Sequence, residues 1–163
     1  MIDVRAAEEG EIEHLAKLWY DGWRDAHAQI VPAELTRLRT LPSFGQRLHA
    51  LLSDVRVVGP RGAPVGLCIV KGDELYQLYA SVEARGSGAA RALIADAEAR
   101  LAAAGAKTAW LACAIGNERA ARFYEKCGWH RAGTMVNQLD TSDGIFPLEV
   151  WRYEKSLSRS PVR

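Results

Sequence analysis

The chain has 163 residues, 48% hydrophobic and 25% charged, enough for one well-packed domain and short for two. Its 21 Lys and Arg against 20 Asp and Glu leave a net charge of +1, so composition gives no electrostatic reason to expect a nucleic acid or an anionic membrane as partner. Three widely spaced cysteines, Cys68, Cys113 and Cys127, without a CxxC pair argue against a disulfide framework and against a zinc site.

Met1 to Arg5 lacks the basic-then-apolar run of a signal peptide, and no stretch has the apolar length of a bilayer span, so the expected location is cytoplasmic. Ile2 to Arg5 alternates weakly and predicts a short first strand. Ile12, Leu15, Ala16, Trp19 and Trp23 fall at helical spacing behind an acidic first turn, predicting an amphipathic helix from Glu8 to Tyr20. Ala33 to Leu52 predicts two helical pieces interrupted at Pro42, which has no amide proton to donate. From Val55 the period shortens: Val55–Val58, Pro64–Val70 and Glu74–Val82 read as strands of an antiparallel meander, the first two joined by the turn Gly59–Gly62.

Ala89, Leu93, Ile94, Ala97 and Leu101 then predict a long helix closed by Gly105. Lys107–Ala114 reads as a strand and Asn117–Cys127 as a short helix stopped by Gly128. Trp129–Asn137 and Phe146–Glu154 read as two final strands. The order predicts a single α+β domain over residues 1–155, with a polar tail over 156–163.

Between a strand and the long helix stand Arg85, Gly86, Ser87, Gly88, Ala89 and Ala90. Amides at a helix start lack intrahelical partners, the helix dipole adds partial positive charge, and glycines let the backbone approach a ligand closely. Such a turn can seat a phosphate or pyrophosphate, although a glycine-rich turn that only starts a helix is the rival reading. The Lys-Ser/Thr ending of a Walker A loop is missing. So are the third glycine and the βαβ setting of a dinucleotide fingerprint.

Arg85-x-x-Gly88-x-Ala90 resembles the Gln/Arg-x-x-Gly-x-Gly/Ala motif of the GCN5-related N-acetyltransferase (GNAT) superfamily. Leu78 to Arg85 resembles the family's fourth strand running into that loop. Asn117 to Trp129 resembles its Asn-x-x-Ala-x-x-(Phe/Leu)-Tyr-x-Lys-x-Gly-Phe segment. Ala80 and Val82 depart from the usual β-branched residue and proline, which touches packing and removes no reacting group. The resemblance implies a GNAT fold, with a mixed central sheet of about seven strands flanked by about four helices. It also implies acetyl-CoA as cosubstrate, with no metal.

What the resemblance implies for the site follows residue by residue. Arg85 to Ala90 would hold the pyrophosphate, and Asn117 the pantetheine region. Leu78, Tyr79 and Ala80 would line the pantetheine arm, with backbone groups of Leu78 and Ala80 bonding its amides. Tyr124 would protonate the departing thiolate, its bland alternative being a core tyrosine. Glu74 is the candidate general base, with a water relay as the competing account and Gln77 able only to orient a water. Trp19, Tyr20, Trp23, His27 and Glu149 are candidate acceptor-site residues. For Trp19 and Trp23 the apolar helix stripe is the stronger reading.

The expected acceptor is a small-molecule primary amine, with a protein or peptide acceptor and a non-catalytic CoA-binding module as alternatives. An aminoacyl-tRNA acceptor is disfavoured by the near-neutral charge. The oligomeric state stays open, a homodimer being frequent among similar proteins.

Overall fold

The computed structural model describes residues 2–157. Seven strands form one sheet in the order β1-β2-β3-β4-β5-β7-β6: β1 Val4–Ala6, β2 Val55–Val58, β3 Gly66–Lys71, β4 Glu74–Ala80, β5 Thr108–Ala114, β6 His130–Thr141 and β7 Gly144–Ser156. Every neighbouring pair is antiparallel except β4–β5, which makes the sheet mixed. The helices are α1 Ile12–His27, α2 Ala33–Leu38, α3 Leu41–Leu51, α4 Ala89–Ala103 and α5 Glu118–Lys126. No helix among the described residues is long and apolar enough to cross a membrane.

The sheet is covered on both faces. Leu15, Trp19, Phe44 and Leu48 of α1 and α3 pack with Val55, Val57, Leu67 and Ile69 on one face. Leu93, Ile94, Ala97 and Leu101 of α4 pack with Cys68, Leu111 and Tyr153 on the other, where Tyr124 of α5 joins them. This is the layered arrangement that an amphipathic helix and a two-faced sheet require to hide their apolar sides.

Several boundaries differ from the sequence-based expectation. α1 continues past Gly22 to His27, because Trp23 extends the buried stripe. Gly22 is where the helix comes closest to the sheet: a Cβ there would stand 2.7 Å from Tyr79 Cδ1. Pro42 begins α3 rather than interrupting a helix, since it stands in the first turn, where its missing N–H costs nothing. Thr40 caps that turn, accepting from the Ser43 amide at 3.3 Å. The break lies earlier, at Arg39 and Thr40, and the α-helices among the described residues number five, against the about four that the family resemblance implies.

β6 and β7 form a longer hairpin than their hydrophobicity predicts, because its outer residues alternate with solvent and carry little apolar signal. Ser156 closes β7, and Leu157 donates its amide to Lys107 O at 2.8 Å. The rest of the expected polar tail, 158–163, lies outside the described residues.

Candidate active site

The site begins with a strand pair that separates. β4 and β5 share one bridge, Glu74 opposite Trp110, reinforced by the Trp110 amide donating to Asp73 O at 3.2 Å. Beyond it the strands diverge. The β3–β4 register decides which backbone groups face the opening. The Ser81 amide bonds Val65 O at 2.8 Å, so by the two-residue period of an antiparallel ladder Tyr79 also turns toward β3. Leu78 and Ala80 therefore present their N–H and C=O groups to the gap that β5 has left.

A bulge sets the side chains on this strand. Ile69 pairs with Gln77 and Val70 with Leu75, leaving Tyr76 as an extra residue. An extra residue reverses the alternation beyond it. Leu75, Leu78 and Ala80 consequently all pack on the α4 side, while Tyr76 and Tyr79 pack on the α1–α3 side.

The turn into α4 is shaped by two left-handed glycines, Gly86 at φ +81° and Gly88 at φ +91°. The Ser87 amide bonds Ala84 O at 3.1 Å, and the Ser87 hydroxyl donates to Ala84 O at 2.5 Å and accepts from the Ala89 amide at 3.2 Å. Among the described residues, the amides of Gly86, Gly88, Ala90 and Arg91 find no acceptor. Four unsatisfied donors around one helix start fit an anionic oxygen group, and the glycines keep side chains out of its way. Arg85 stands beside them, 3.4 Å from Asp25 of α1.

These elements surround a single cavity of about 860 Å³. Its walls include Leu78, Tyr79, Ala80, Arg85, Gly86, Gly88, Ala89 and Ala90. Asn117, Tyr124 and Glu74 reach the same space; of the expected cofactor-binding residues only Ser87 does not line it, being turned into its own loop. Asn117 caps α5, its side chain accepting from the Ala120 amide at 3.4 Å. The α1–α2 connection crosses over the gap: Ile30 Cγ2 lies 3.3 Å from where a Cβ on Gly116 would stand.

Tyr124 is 9% exposed, and its hydroxyl bonds to no described residue. Burial raises its phenol well above the ordinary value of 10, so it stays protonated and able to donate. Glu74 sits at the vertex of the splayed pair. Burial pushes its carboxyl up to about 7, against the opposing pull of Lys71 and Arg152. A carboxylate poised there can take a proton near neutral pH.

The other candidates divide. Trp23 and His27 line the cavity, stacked with ring centroids 5.0 Å apart. Burial lowers the His27 pKa, and Nδ1 donates to Trp23 O at 2.9 Å, which leaves Nε2 with its lone pair. Trp19 is fully buried in the core, Tyr20 packs on Phe44, and neither reaches the cavity. Glu149 is exposed on β7 and faces away from it. Gln77 lines the cavity.

Among the wall residues that the sequence does not single out are Arg39 and Arg47. Arg39 is 4% exposed at the C-terminus of α2, and Arg47 lies on α3. An arginine in a helical segment looks like a solvated surface residue, and only the fold turns these two inward.

The acetyltransferase (GNAT) family model matches residues 12–129. Comparison of the sequence with curated proteins gave no match. Among solved structures, a GCN5-related N-acetyltransferase from Rhodopseudomonas palustris superposes with a TM-score of 0.73 at 20% identity, covering 96% of each chain. An N-acetyltransferase from Staphylococcus aureus Mu50 gives 0.72 at 18% identity, covering 97% of this chain and 99% of that one. The PaiA N-acetyltransferase from Thermoplasma acidophilum, in complex with coenzyme A, gives 0.64 at 19% identity, covering 96% and 99%. At these identities the likenesses establish the fold.

Proposed function

From the premise that the chain belongs to the acetyltransferase (GNAT) family, we propose that it transfers an acetyl group from acetyl-CoA to the primary amine of a small molecule. The observation that carries this reading is the set of open amides at Gly86, Gly88, Ala90 and Arg91, directly beside the gap between β4 and β5. Those donors would hold the pyrophosphate, with Arg85 adding positive charge. The Leu78 and Ala80 backbone groups would complete a ladder with the amides of the pantetheine arm, as a strand would have done. Asn117 would reach the same arm while capping α5.

Acetyl-CoA supplies the activated thioester carbon. Glu74 takes a proton from the acceptor ammonium, freeing the nitrogen lone pair for attack on that carbon. The Leu78 N–H donates to the carbonyl oxygen as negative charge builds there. As the carbon–sulfur bond breaks, Tyr124 gives its proton to the sulfur and takes back the proton that the attacking nitrogen sheds on becoming an amide. The products are an amide and CoA.

A small acceptor is favoured because the acceptor end is walled by Trp23, Leu35, Leu139 and Leu148 from separate elements, rather than lying open along one face. Three free thiols suit a reducing compartment and support the cytoplasm as location.

The test is CoA release from acetyl-CoA across a panel of primary amines, with Tyr124→Phe alongside. Turnover with at least one amine, reduced about 100-fold in the variant, supports the reading. Tight acetyl-CoA binding without turnover of any amine would identify a non-catalytic CoA-binding module, and failure to bind acetyl-CoA would overturn the donor assignment.

A further inference from the structure

We infer that Arg39 and Arg47 form a carboxylate-binding seat at the acceptor end of the cavity, so that the amine to be acetylated also carries a carboxylate, as an amino acid does. This rests on the amine-acetylating reading above and narrows its substrate class.

The argument starts from how this molecule treats its other partly buried cations. Arg5 pairs with Glu11, Arg56 and Arg100 share Asp96, Arg152 pairs with Glu154, and Lys155 pairs with Glu98. Those arginines among the described residues that have neither a carboxylate partner nor a place in the cavity's acceptor end are exposed to water. Arg39 and Arg47 break the pattern. Neither lies within 4.0 Å of a carboxylate among the described residues. Arg39 is nonetheless 4% exposed.

What they do contact leaves positive charge uncompensated. Arg39 Nη1 donates to the Asp140 main-chain oxygen at 2.9 Å, a neutral acceptor. Arg47 Nη2 donates to the Tyr76 hydroxyl at 2.9 Å, and its guanidinium lies 4.2 Å from the Trp19 ring centroid. Arg47 Nη1 is buried with no partner. The remaining titratable groups facing Arg39 are His27, Tyr76, Tyr79 and the Asp140 side chain, while Arg47 repels it. Burial and that repulsion bring the Arg39 pKa down to about 10, so it remains charged at neutral pH.

Two cations held without a counter-ion in a half-closed space cost stability, and an arriving anion removes that cost. A guanidinium fork matches the two oxygens of a carboxylate, with each N–H donating along a lone-pair direction. Both arginines line the same cavity as Glu74, and Leu35, Leu139 and Leu148 lie in its walls as well. An acceptor with a carboxylate at one end, an apolar portion and an amine within reach of Glu74 fits this sequence of surroundings.

The test compares matched pairs that differ only in the carboxylate: L-phenylalanine with 2-phenylethylamine, L-leucine with 3-methylbutylamine, and γ-aminobutyrate with propylamine. Binding to the full-length protein loaded with CoA is measured by calorimetry, independently of turnover. At least one carboxylated member should bind about 10- to 100-fold more tightly than its partner. That preference should collapse in Arg47→Met and recover in part in Arg47→Lys, while affinity for acetyl-CoA stays at the wild-type value. Arg39→Met is the companion variant, and Arg47→Met keeps the test decisive if burial makes Arg39→Met fold poorly. Absence of a carboxylate preference in all three pairs overturns the inference and leaves amine acetylation standing. Tighter binding of O-phosphoethanolamine than of every carboxylated amine also overturns it, in favour of a phosphate. Loss of acetyl-CoA binding in the wild type would instead strike the donor assignment, a separate readout.

Discussion

Glu74 and Tyr124 both have raised pKa values because both are buried, but the consequences for proton traffic are opposite. A phenol held above its ordinary value stays a donor over the working range. A carboxyl raised to about 7 is half ionised at neutral pH and serves as a base only above it. The rate kcat/KM is therefore expected to rise with pH through about 7 and then level. Glu74→Gln should remove that limb and lower the plateau about 100-fold or more; persistence of the limb would assign the proton to a water relay. A stability readout accompanies it. The folded state holds the Glu74 proton more tightly than the unfolded chain, so this group's contribution is full below pH 4.5 and is lost as pH rises through about 7. Glu74→Gln should accordingly raise Tm at pH 8 relative to wild type and give less benefit at pH 4. An unchanged Tm difference between the two pH values would show that the carboxyl is solvated.

At the scale of elements, the turn 85–90 and the start of α4 act as one unit, since Gly88 is both the helix N-cap and a left-handed residue. A side chain at φ +91° costs about 1 kcal/mol whatever its chemistry. Its Cβ would also meet Ile2 Cδ1 at 3.4 Å, an ordinary contact. Gly88→Ala should thus lose about that much stability and weaken acetyl-CoA modestly. Gly88→Glu adds a carboxylate where four open amides await an anion, and should lose acetyl-CoA binding by a further 100-fold or so. Equal affinities for the two variants, measured by calorimetry, would mean that the turn only starts a helix. The β4 bulge belongs to this scale too. It moves Leu78 and Ala80 to the α4 side and leaves Tyr79 against α1.

Across the whole molecule, the layers are tied together at points remote from the cavity. Glu11, 2% exposed at the start of α1, accepts from Arg5 of β1 at 2.7 and 3.0 Å. It also accepts from the amides of Glu8 and Gly62, both at 2.9 Å, joining the first strand, the first helix and the β2–β3 connection. Glu11→Ala would leave Arg5 without its counter-ion and is expected to cost about 3 kcal/mol, or roughly 6–12 °C in Tm for a chain of this size. The hydrogen bonds from Arg5 hold the Glu11 carboxyl below its ordinary 4.5, so its contribution is complete above that pH and fades as acid protonates it. The Tm difference between wild type and variant should shrink toward pH 2, and a difference independent of pH would assign the loss to packing alone.

How much of this was written in the chain depends on the range of the interaction concerned. Strand and helix order, the helix start at Gly88 and the cap at Asn117 follow from neighbours within a few residues, and the sequence read them correctly. Parts of the two motifs, Arg85, Gly86 and Gly88 to Ala90 with Asn117 and Tyr124, line one cavity. The ends of α1 and of the β6–β7 hairpin were missed, because there tertiary packing and cross-strand pairing outweigh local hydrophobicity. The acceptor end was least legible. Arg39 and Arg47 carry no spacing signal, and Trp19 and Trp23 share one helical stripe yet only Trp23 reaches the cavity. Whether an arginine faces water or a cavity is decided by what folds over it. Here the covering elements are the α1–α2 connection and the β6–β7 hairpin, the latter about a hundred residues away. The proposed donor site is thus largely a property of local sequence, and the proposed acceptor site a property of the assembled fold.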